Sequence, residues 1–384
     1  MATGLTQAAG VGISFARRSV DAASAQGTVL APVIRAPLLV SASCRTEPCP
    51  SRYAPSSMSS SVALVYRVLA VALLSTVSPT QSNAQALFGV ANLQNDLFVG
   101  RDGGGYTNGI FLSSVRVANR IDAPLEPAAL LAPLAPLLGV RSPSLVSFSL
   151  GQVIVTPRDL TRTRPDPEDA PYVGGLAFRA AQIEATDDRA DLVALSVGVI
   201  GPSSGAEQTQ KLIHRVVGAD RPMGWDTQVS DRLLVAIERR AAWRFAPGAR
   251  ARPGEASTDV VLQTGATLGN LKTVADASLL LRYGVALEQS FATTMPVTGP
   301  SADPILMGSG WFLFGGVSAE RMFSHVGIGE SATLRRSKAA FTAGVAYGWK
   351  DAALTFALKS VDPLIESSSR RQSYGSLTYV LRLR

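Results

Sequence analysis

Large apolar residues alternate with small or polar residues along the C-terminal part of the chain. In one stretch Leu279, Leu281 and Tyr283 share a face, while Arg282 and Gly284 share the other. The same alternation runs through residues 277–288, 341–350, 351–359 and 374–384. Because the side chains of a β-strand point alternately to its two faces, this period of two predicts strands.

The second face of these strands favours a membrane β-barrel over a soluble β-sandwich, in which strands also alternate. It carries Gly, Ala, Ser and Thr rather than charges, and aromatic residues fall near the ends of the stretches. A barrel whose outside contacts lipid has this pattern. One feature points the other way, because outer-membrane barrels usually end on an aromatic residue and this chain ends at Leu383-Arg384. We expect an all-β fold, a transmembrane antiparallel β-barrel.

Composition supports this expectation. Only 17% of the residues are charged, below the ~25% usual for soluble domains. The body of the chain has no run of about 18 apolar residues, which argues against a multi-helix membrane protein.

Two segments depart from the strand pattern. Leu125–Leu138 is rich in Ala, Leu and Pro, and Pro133 and Pro136 exclude a regular helix, so we expect an apolar loop. Ala206–Val217 has helical composition and is followed by Gly218, a plausible C-cap. A single helix between the strands of a barrel suggests a specific role.

The N-terminal region is expected to lie outside the barrel. Residues 1–57 form an extension that could reflect a mis-called start, and 58–86 combine Arg67, a short apolar run and Ala84-Gln85-Ala86, as in a secretory signal peptide. The barrel domain would then be 87–384. Residues 1–86 contain six arginines, two acidic residues and both cysteines, so the net charge falls from +7 to +3 and nucleic-acid binding is not expected.

A few polar residues suggest chemistry that a pore wall does not need. His214 and Gln210 share a face of the predicted helix, and Asp220 follows just past its end. Asn95-Asp96 and residues 106–109 flank the predicted first hairpin. Turn chemistry and a loop helix at a rim are the structural alternatives. His325 is interpreted as a loop residue at a strand end, and no nucleotide-binding motif is present.

Five ordered blocks resemble the lipid A 3-O-deacylases, LpxR-like outer-membrane proteins. The blocks are Gln94-Asn95-Asp96, Gly105-Tyr106-Thr107-Asn108-Gly109, residues 151–157, residues 169–176, and Gly198-Val199-Ile200-Gly201-Pro202 continuing through Gln210, His214-Arg215, Gly218-Ala219-Asp220 and Trp225. The resemblance is close over roughly 92–232 and extends to the C-terminal strands by pattern only.

The resemblance implies a barrel of about 12 strands in the bacterial outer membrane. Its active site would face the outer leaflet, between the barrel wall and the loop helix. The reaction would be calcium-dependent hydrolysis of the ester that holds the 3′-linked acyloxyacyl chain of lipid A. His214 would be the general base that activates water, and Gln210 could orient its ring.

The resemblance also assigns the remaining site residues. Asp96, Thr107 and Asp220 would supply oxygen ligands to Ca²⁺, and Asn95 would donate to the oxyanion. Arg162 lies near a family lysine and would bind a lipid A phosphate. Asp220 replaces the family's usual Glu, so its contact with calcium could be water-mediated.

Two other functions remain open from the sequence. One is a non-catalytic outer-membrane barrel, either a pore or a lipopolysaccharide-binding protein. The other is a serine phospholipase barrel, for which no motif marks a serine. As partners we expect lipid A or lipopolysaccharide and outer-membrane lipid, and we expect a monomer.

Overall fold

The computed structural model describes residues 85–100, 104–119, 124–246, 254–300, 302–325 and 333–383. The predicted extension 1–57 and residues 58–84 of the predicted signal peptide lie outside the described residues. Gln85 and Ala86, the last two residues of that signal peptide, belong to the first strand, in which Ala86 pairs with Val117. Cleavage after Ala86 stays a prediction.

The strand pattern produces a closed antiparallel barrel of twelve strands in the described residues, which confirms the predicted fold class. Each strand pairs with its neighbours in sequence, and the last pairs with the first, where Val90 lies opposite Val380. The strands are β1 (Gln85–Asn95), β2 (Gly105–Ala118), β3 (Leu145–Thr156), β4 (Val173–Ala185), β5 (Arg189–Ile200), β6 (Arg232–Phe245), β7 (Ser257–Gly269), β8 (Lys272–Val285), β9 (Gly310–His325), β10 (Ser337–Trp349), β11 (Ala352–Val361) and β12 (Gln372–Arg382).

In β8, β10, β11 and β12 the large apolar face lies on the outside, as the alternation predicts. Leu281 and Tyr347 are 54% and 57% exposed, as expected for side chains that contact lipid. Aromatic residues cluster at one end of the barrel. There the rings of Tyr347 and Trp349 lie 6.0 Å apart, and Trp311 is the second residue of β9. Within the described ranges, no helix has both the length and the apolar composition needed to cross a membrane.

One strand boundary differs from the pattern. The alternation through 277–288 predicts a strand that includes Leu287, but β8 ends at Val285. Ala286 adopts a left-handed conformation with φ of 68°, and Leu287 is 2% exposed. The chain turns into the barrel at this point, where a buried leucine continues the apolar sequence without continuing the strand.

The connection from β8 to β9 folds into the lumen. The main-chain oxygen of Val297 accepts a hydrogen bond of 2.9 Å from the Ser147 hydroxyl and one of 3.4 Å from Arg179. Asp303 forms a 3.0 Å ion pair with Lys359 of β11. The connection is thus attached to inward-facing residues of several strands and occupies the barrel interior.

Helical structure is confined to short segments of the described chain. The predicted helix is present as α1 (Ala206–Val217), and Gly218 caps it with φ of 73°. Short 3-10 helices span Asp96–Val99, Pro202–Ser204, Trp225–Thr227 and Ala292–Thr294. Leu125–Leu138 is a series of turns, as the two prolines predict.

Candidate active site

The connection from β5 to β6 carries α1 and folds against the outer face of the barrel wall. Gly174 lies between Val173 and Gly175, which line the lumen, so its own position faces outward. A Cβ atom at Gly174 would come within 2.3 Å of Ala206, the first residue of α1. The Gln152 amide also donates a 2.8 Å hydrogen bond to the Ser204 oxygen. Glycine at 174 therefore allows the helix to approach the wall closely.

The buried face of α1 carries two polar side chains, and its outward side exposes apolar ones. The buried residues are Ala206, Gln210 and His214, which are at most 5% exposed. Leu212 and Val216, on the opposite side, are 59% and 77% exposed, and the exposed Gln208 and Arg215 lie among them. Exposed apolar side chains of this size suit contact with an apolar surrounding.

His214 is held by the main chain beyond the end of its own helix. Its Nδ1 atom lies 2.6 Å from the backbone oxygen of Asp220. A carbonyl oxygen only accepts, so Nδ1 carries the proton and Nε2 is the basic nitrogen of the ring. The capping turn brings the two residues together, because Gly218 and Ala219 both donate backbone hydrogen bonds to the His214 oxygen.

Gln210 lies one turn before His214 and is bound by Trp225. The indole Nε1 donates a 2.8 Å hydrogen bond to Gln210 Oε1, and the indole ring lies 4.9 Å from the ring of Tyr172. This bond fixes which end of the amide is the oxygen. Gln210 Nε2 is buried and has no hydrogen-bond partner among the described residues. The contact seen for the His214 ring is to Asp220, and orientation of that ring by Gln210 stays a prediction.

The first hairpin gathers three of the predicted residues. Asn95 is the last residue of β1 and pairs with Asn108 of β2. Its side-chain oxygen accepts a 2.7 Å hydrogen bond from the Leu97 amide, which leaves the amide nitrogen as the donor group. Asp96 directly follows Asn95 and is 3% exposed, and Thr107 directly precedes Asn108.

A β-bulge at Thr107 sets the direction of its side chain. In the pairing of β2 with β3, Tyr106 lies opposite Val155 and Asn108 opposite Ile154, so Thr107 is the extra residue. Its hydroxyl lies 2.7 Å from the Thr156 hydroxyl. Bulges are common beside functional sites because they redirect a side chain.

The donor atoms of this hairpin fit a calcium ion. Asp96 offers a buried carboxylate, Thr107 a hydroxyl, and Asn108 an amide oxygen that is buried without a hydrogen-bond partner in the described structure. Hard cations such as Ca²⁺ prefer oxygen ligands of these kinds. The described residues contain no group of three or more His, Cys, Asp or Glu side chains that could hold a metal ion. The Asp220 side chain is exposed, and its ligation of calcium stays a prediction.

Arg162 lies on the β3–β4 connection, which packs beneath α1. The Met223 amide donates a 2.8 Å hydrogen bond to the Leu160 oxygen, next to Trp225. Arg162 itself is about half exposed, 3.9 Å from Asp166. The Thr161 hydroxyl, 2.7 Å from Asp159, holds the pKa of that carboxyl below its usual value. The Arg162 side chain is accessible to an anionic ligand, and its role stays a prediction.

Sequence reasoning did not single out Thr156, Tyr172 and Trp225 as parts of the site. Each lies in or directly beside a block that carried the resemblance. Trp225 was the residue that could have indicated the missing contact, because a buried indole N–H requires a hydrogen-bond acceptor. The contact between Thr107 and Thr156 depends on the bulge, which the sequence pattern does not reveal. His325 ends β9 opposite Lys272 and is exposed.

The sequence matches one protein-family model over most of its length. Residues 64–383 match the family described as outer membrane protein LpxR. No match to a curated protein sequence reaches significance.

A solved structure has the same fold. LpxR from Salmonella typhimurium superposes with a TM-score of 0.61 at 17% identity, covering 77% of this chain and 99% of that one. The translocator domain of the autotransporter NalP from Neisseria meningitidis matches with a TM-score of 0.36 at 11% identity, covering 83% of this chain and 95% of that one. The second similarity is too low to carry an argument.

Proposed function

The chain belongs to the LpxR family of outer membrane proteins, and we propose that it is an esterase that removes the 3′-linked acyloxyacyl chain from lipid A. The observation that carries this proposal is the placement of His214. His214, with its proton on Nδ1, lies on the buried side of α1, next to the outer face of the barrel wall, and Leu212 and Val216 are exposed on the other side of this helix. A substrate with acyl chains could reach this position from within the membrane plane.

His214 is the proposed general base. With its proton on Nδ1, Nε2 removes a proton from a water molecule as the water oxygen bonds to the acyl carbon. Collapse of the tetrahedral intermediate breaks the bond between that carbon and the sugar oxygen. The sugar oxygen takes the proton from Nε2, so the acid and the alcohol are released with the histidine neutral again.

Two amides are the proposed polar contacts of the ester. Asn95 Oδ1 is engaged by the Leu97 amide, so Nδ2 is available to donate to the oxyanion. Gln210 is held by Trp225 through its oxygen, so its amide nitrogen is the group directed away from that bond. Both amides are positioned by contacts that exist before substrate binds, and positioning of this kind reduces the reorganisation needed during reaction.

Asp96, Thr107 and Asp220 are the residues proposed to hold calcium. Bound there, the ion would polarise the ester carbonyl and stabilise the oxyanion. Asp96 and Thr107 lie next to the paired residues Asn95 and Asn108 of one hairpin, which supports their assignment to one site. Arg162 is proposed to bind a phosphate of lipid A through its guanidinium group.

We further propose that the site faces the outer leaflet, where lipid A is located. The connections that carry Asp96, Arg162 and α1 all leave the same end of the barrel, because they follow β1, β3 and β5. This orientation puts the helix level with the acyl chains and sugar of the substrate.

Purified protein incubated with lipid A in ¹⁸O-labelled water tests the reaction. We expect a released acyloxyacyl acid with one ¹⁸O atom and a lipid A lacking the 3′-linked chain. Recovery of the chain on another lipid, without ¹⁸O, would indicate acyl transfer and contradict hydrolysis. No release with folded protein and added calcium would favour the non-catalytic barrel.

A further inference from the structure

A second apolar segment lies on the outer wall, at the end of the barrel opposite α1. Residues 127–140 connect β2 to β3 and contain fourteen consecutive residues without a polar side chain. Glu126 and Arg141 border them. Apolar runs of 10–14 residues are too short to span a membrane and are found in re-entrant or interfacial segments.

One side of this segment is packed against the barrel. The contacts are made to outward-facing residues of β3, β4 and β5, and they form a dry cluster. Its members include Leu131, Ala135, Val140, Val146, Ala180 and Val193, all 0% exposed.

The other side of the segment is apolar and uncovered. Leu130 and Leu137 are 42% and 83% exposed, and Pro133 and Pro136 lie beside them on the surface. An exposed apolar surface without a single polar side chain is unusual for a segment in water. Its exposed side chains are apolar, like the lipid-facing side chains of the strands.

The backbone of the segment is suited to an apolar medium. Ala132 donates a 2.9 Å hydrogen bond to the Ala128 oxygen, and Ala135 donates one of 2.8 Å to the Leu131 oxygen. Pro133 and Pro136 have no N–H group to satisfy. Irregular backbone is tolerated at membrane depth only where its polar groups find partners in the protein.

The apolar cluster that the segment joins extends beyond the level of the aromatic residues at this end of the barrel. Trp311 is the second residue of β9, whereas the cluster includes Phe178 of β4, which pairs with Leu150, the sixth residue of β3. Four residues correspond to about 13 Å along a strand at ~3.3 Å per residue. Because aromatic residues mark the membrane interface, the cluster continues from there toward the centre of the membrane.

The segment also covers charges on the outer wall. Arg239 Nε donates a 2.8 Å hydrogen bond to the Leu138 oxygen, and its guanidinium group pairs with Asp191. Glu184 accepts hydrogen bonds of 2.7 and 2.9 Å from the backbone amides of Arg141 and Ser142. Charged groups facing lipid are costly, and these contacts provide partners for them.

We propose that residues 127–140 form a membrane-embedded flange that inserts beside the barrel into the leaflet opposite the candidate site. Its ligand is the acyl chains of that leaflet's lipids. The flange widens the protein on the β3–β5 side. There it occupies the membrane interface, where other strands carry aromatic residues.

Spin labelling tests the flange. Cys44 and Cys49 are replaced by Ser, and one cysteine is introduced by Leu137→Cys. The Leu137 side chain is 83% exposed. A nitroxide at this cysteine, in phospholipid vesicles, is exposed to oxygen and to a water-soluble nickel chelate. Leu279→Cys, on the lipid-facing side of β8, is the membrane control. Asp351→Cys, in the turn at the same end of the barrel, is the aqueous control.

We expect the label at 137 to collide with oxygen more than with the chelate, as at 279. Collision with the chelate at the level of the 351 label would put the segment in water and overturn the proposal. Shielding from both reagents would indicate a covering protein and would also overturn it. Leu130→Cys repeats the collision measurement at a second position of the segment, where the side chain is half as exposed as that of Leu137.

Discussion

His214 Nδ1 lies 2.6 Å from the main-chain oxygen of Asp220, so a backbone atom orients the histidine ring. The turn capped by Gly218 brings the two residues together. A neutral acceptor fixes the tautomer without placing a negative charge beside the ring. The Asp220 side chain is therefore available for another role, which can be separated experimentally from the orientation of the histidine.

Replacing Asp220 by Ala is expected to weaken calcium dependence while preserving the histidine. Loss of an indirect ligand lowers metal affinity by about 10–100-fold, so the calcium concentration for half-maximal rate should rise and saturating calcium should restore the rate. The rate is measured across a calcium titration. A loss that calcium does not restore would contradict the assignment, and exhaustive chelation should stop both the variant and the wild type.

Replacing Trp225 by Phe is expected to slow hydrolysis about tenfold. The change keeps the packing on Tyr172 but leaves Gln210 Oε1 buried without its donor, at a cost of about 1–3 kcal/mol. Initial rates on lipid A in mixed micelles give the comparison. Trp243→Phe, in β6, is the matched control and should retain the wild-type rate; equal losses in the two variants would remove the role given to the indole N–H.

Replacing Val216 by Asp is expected to impair activity on membrane-embedded substrate only. Val216 is 77% exposed on the outward side of α1, and a carboxylate that faces lipid is destabilising. Rates are compared for lipid A in vesicles and for a soluble short-chain ester. Gln208→Asp, at an exposed polar position of the same helix, is the control. If Val216→Asp acts equally on both substrates, the exposed face does not contact the membrane.

The filled lumen predicts a barrel that does not conduct ions. The β8–β9 connection is fixed to the wall by Ser147, Arg179 and the Asp303–Lys359 ion pair. In planar bilayers the protein should give conductance near baseline, while a general porin reconstituted in the same way opens. Stable open channels at low voltage would favour the pore that the sequence left as an alternative.

The strands and α1 could be predicted because their signals are local. Period-two alternation identified the outward faces around Leu281 and Tyr347, and composition with Gly218 gave the bounds of the helix. The predicted end of β8 was wrong because Leu287 continues the apolar alternation into the lumen. A buried position there favours leucine as much as a lipid-facing position does. Local pattern does not distinguish contact with lipid from contact with the protein interior.

The site residues came from resemblance, and their arrangement required the fold. Asp96 and Thr107 lie next to the Asn95–Asn108 pair of one hairpin, and local sequence pattern does not reveal this strand register. Thr156 joins them only because of the bulge at Thr107. The acceptor for His214 is a backbone atom, and a backbone contact of this kind leaves no signature in residue type.

The most direct test of the account is mass spectrometry of lipid A from cells that express the wild type beside cells that express His214→Ala. Loss of the general base should lower the rate about 10²–10⁴-fold. We expect lipid A from the wild type alone to lose the mass of one acyloxyacyl unit, with both proteins folded in the outer membrane. The same loss in the His214→Ala cells would contradict the role of the histidine, and no loss in either would contradict the proposed reaction.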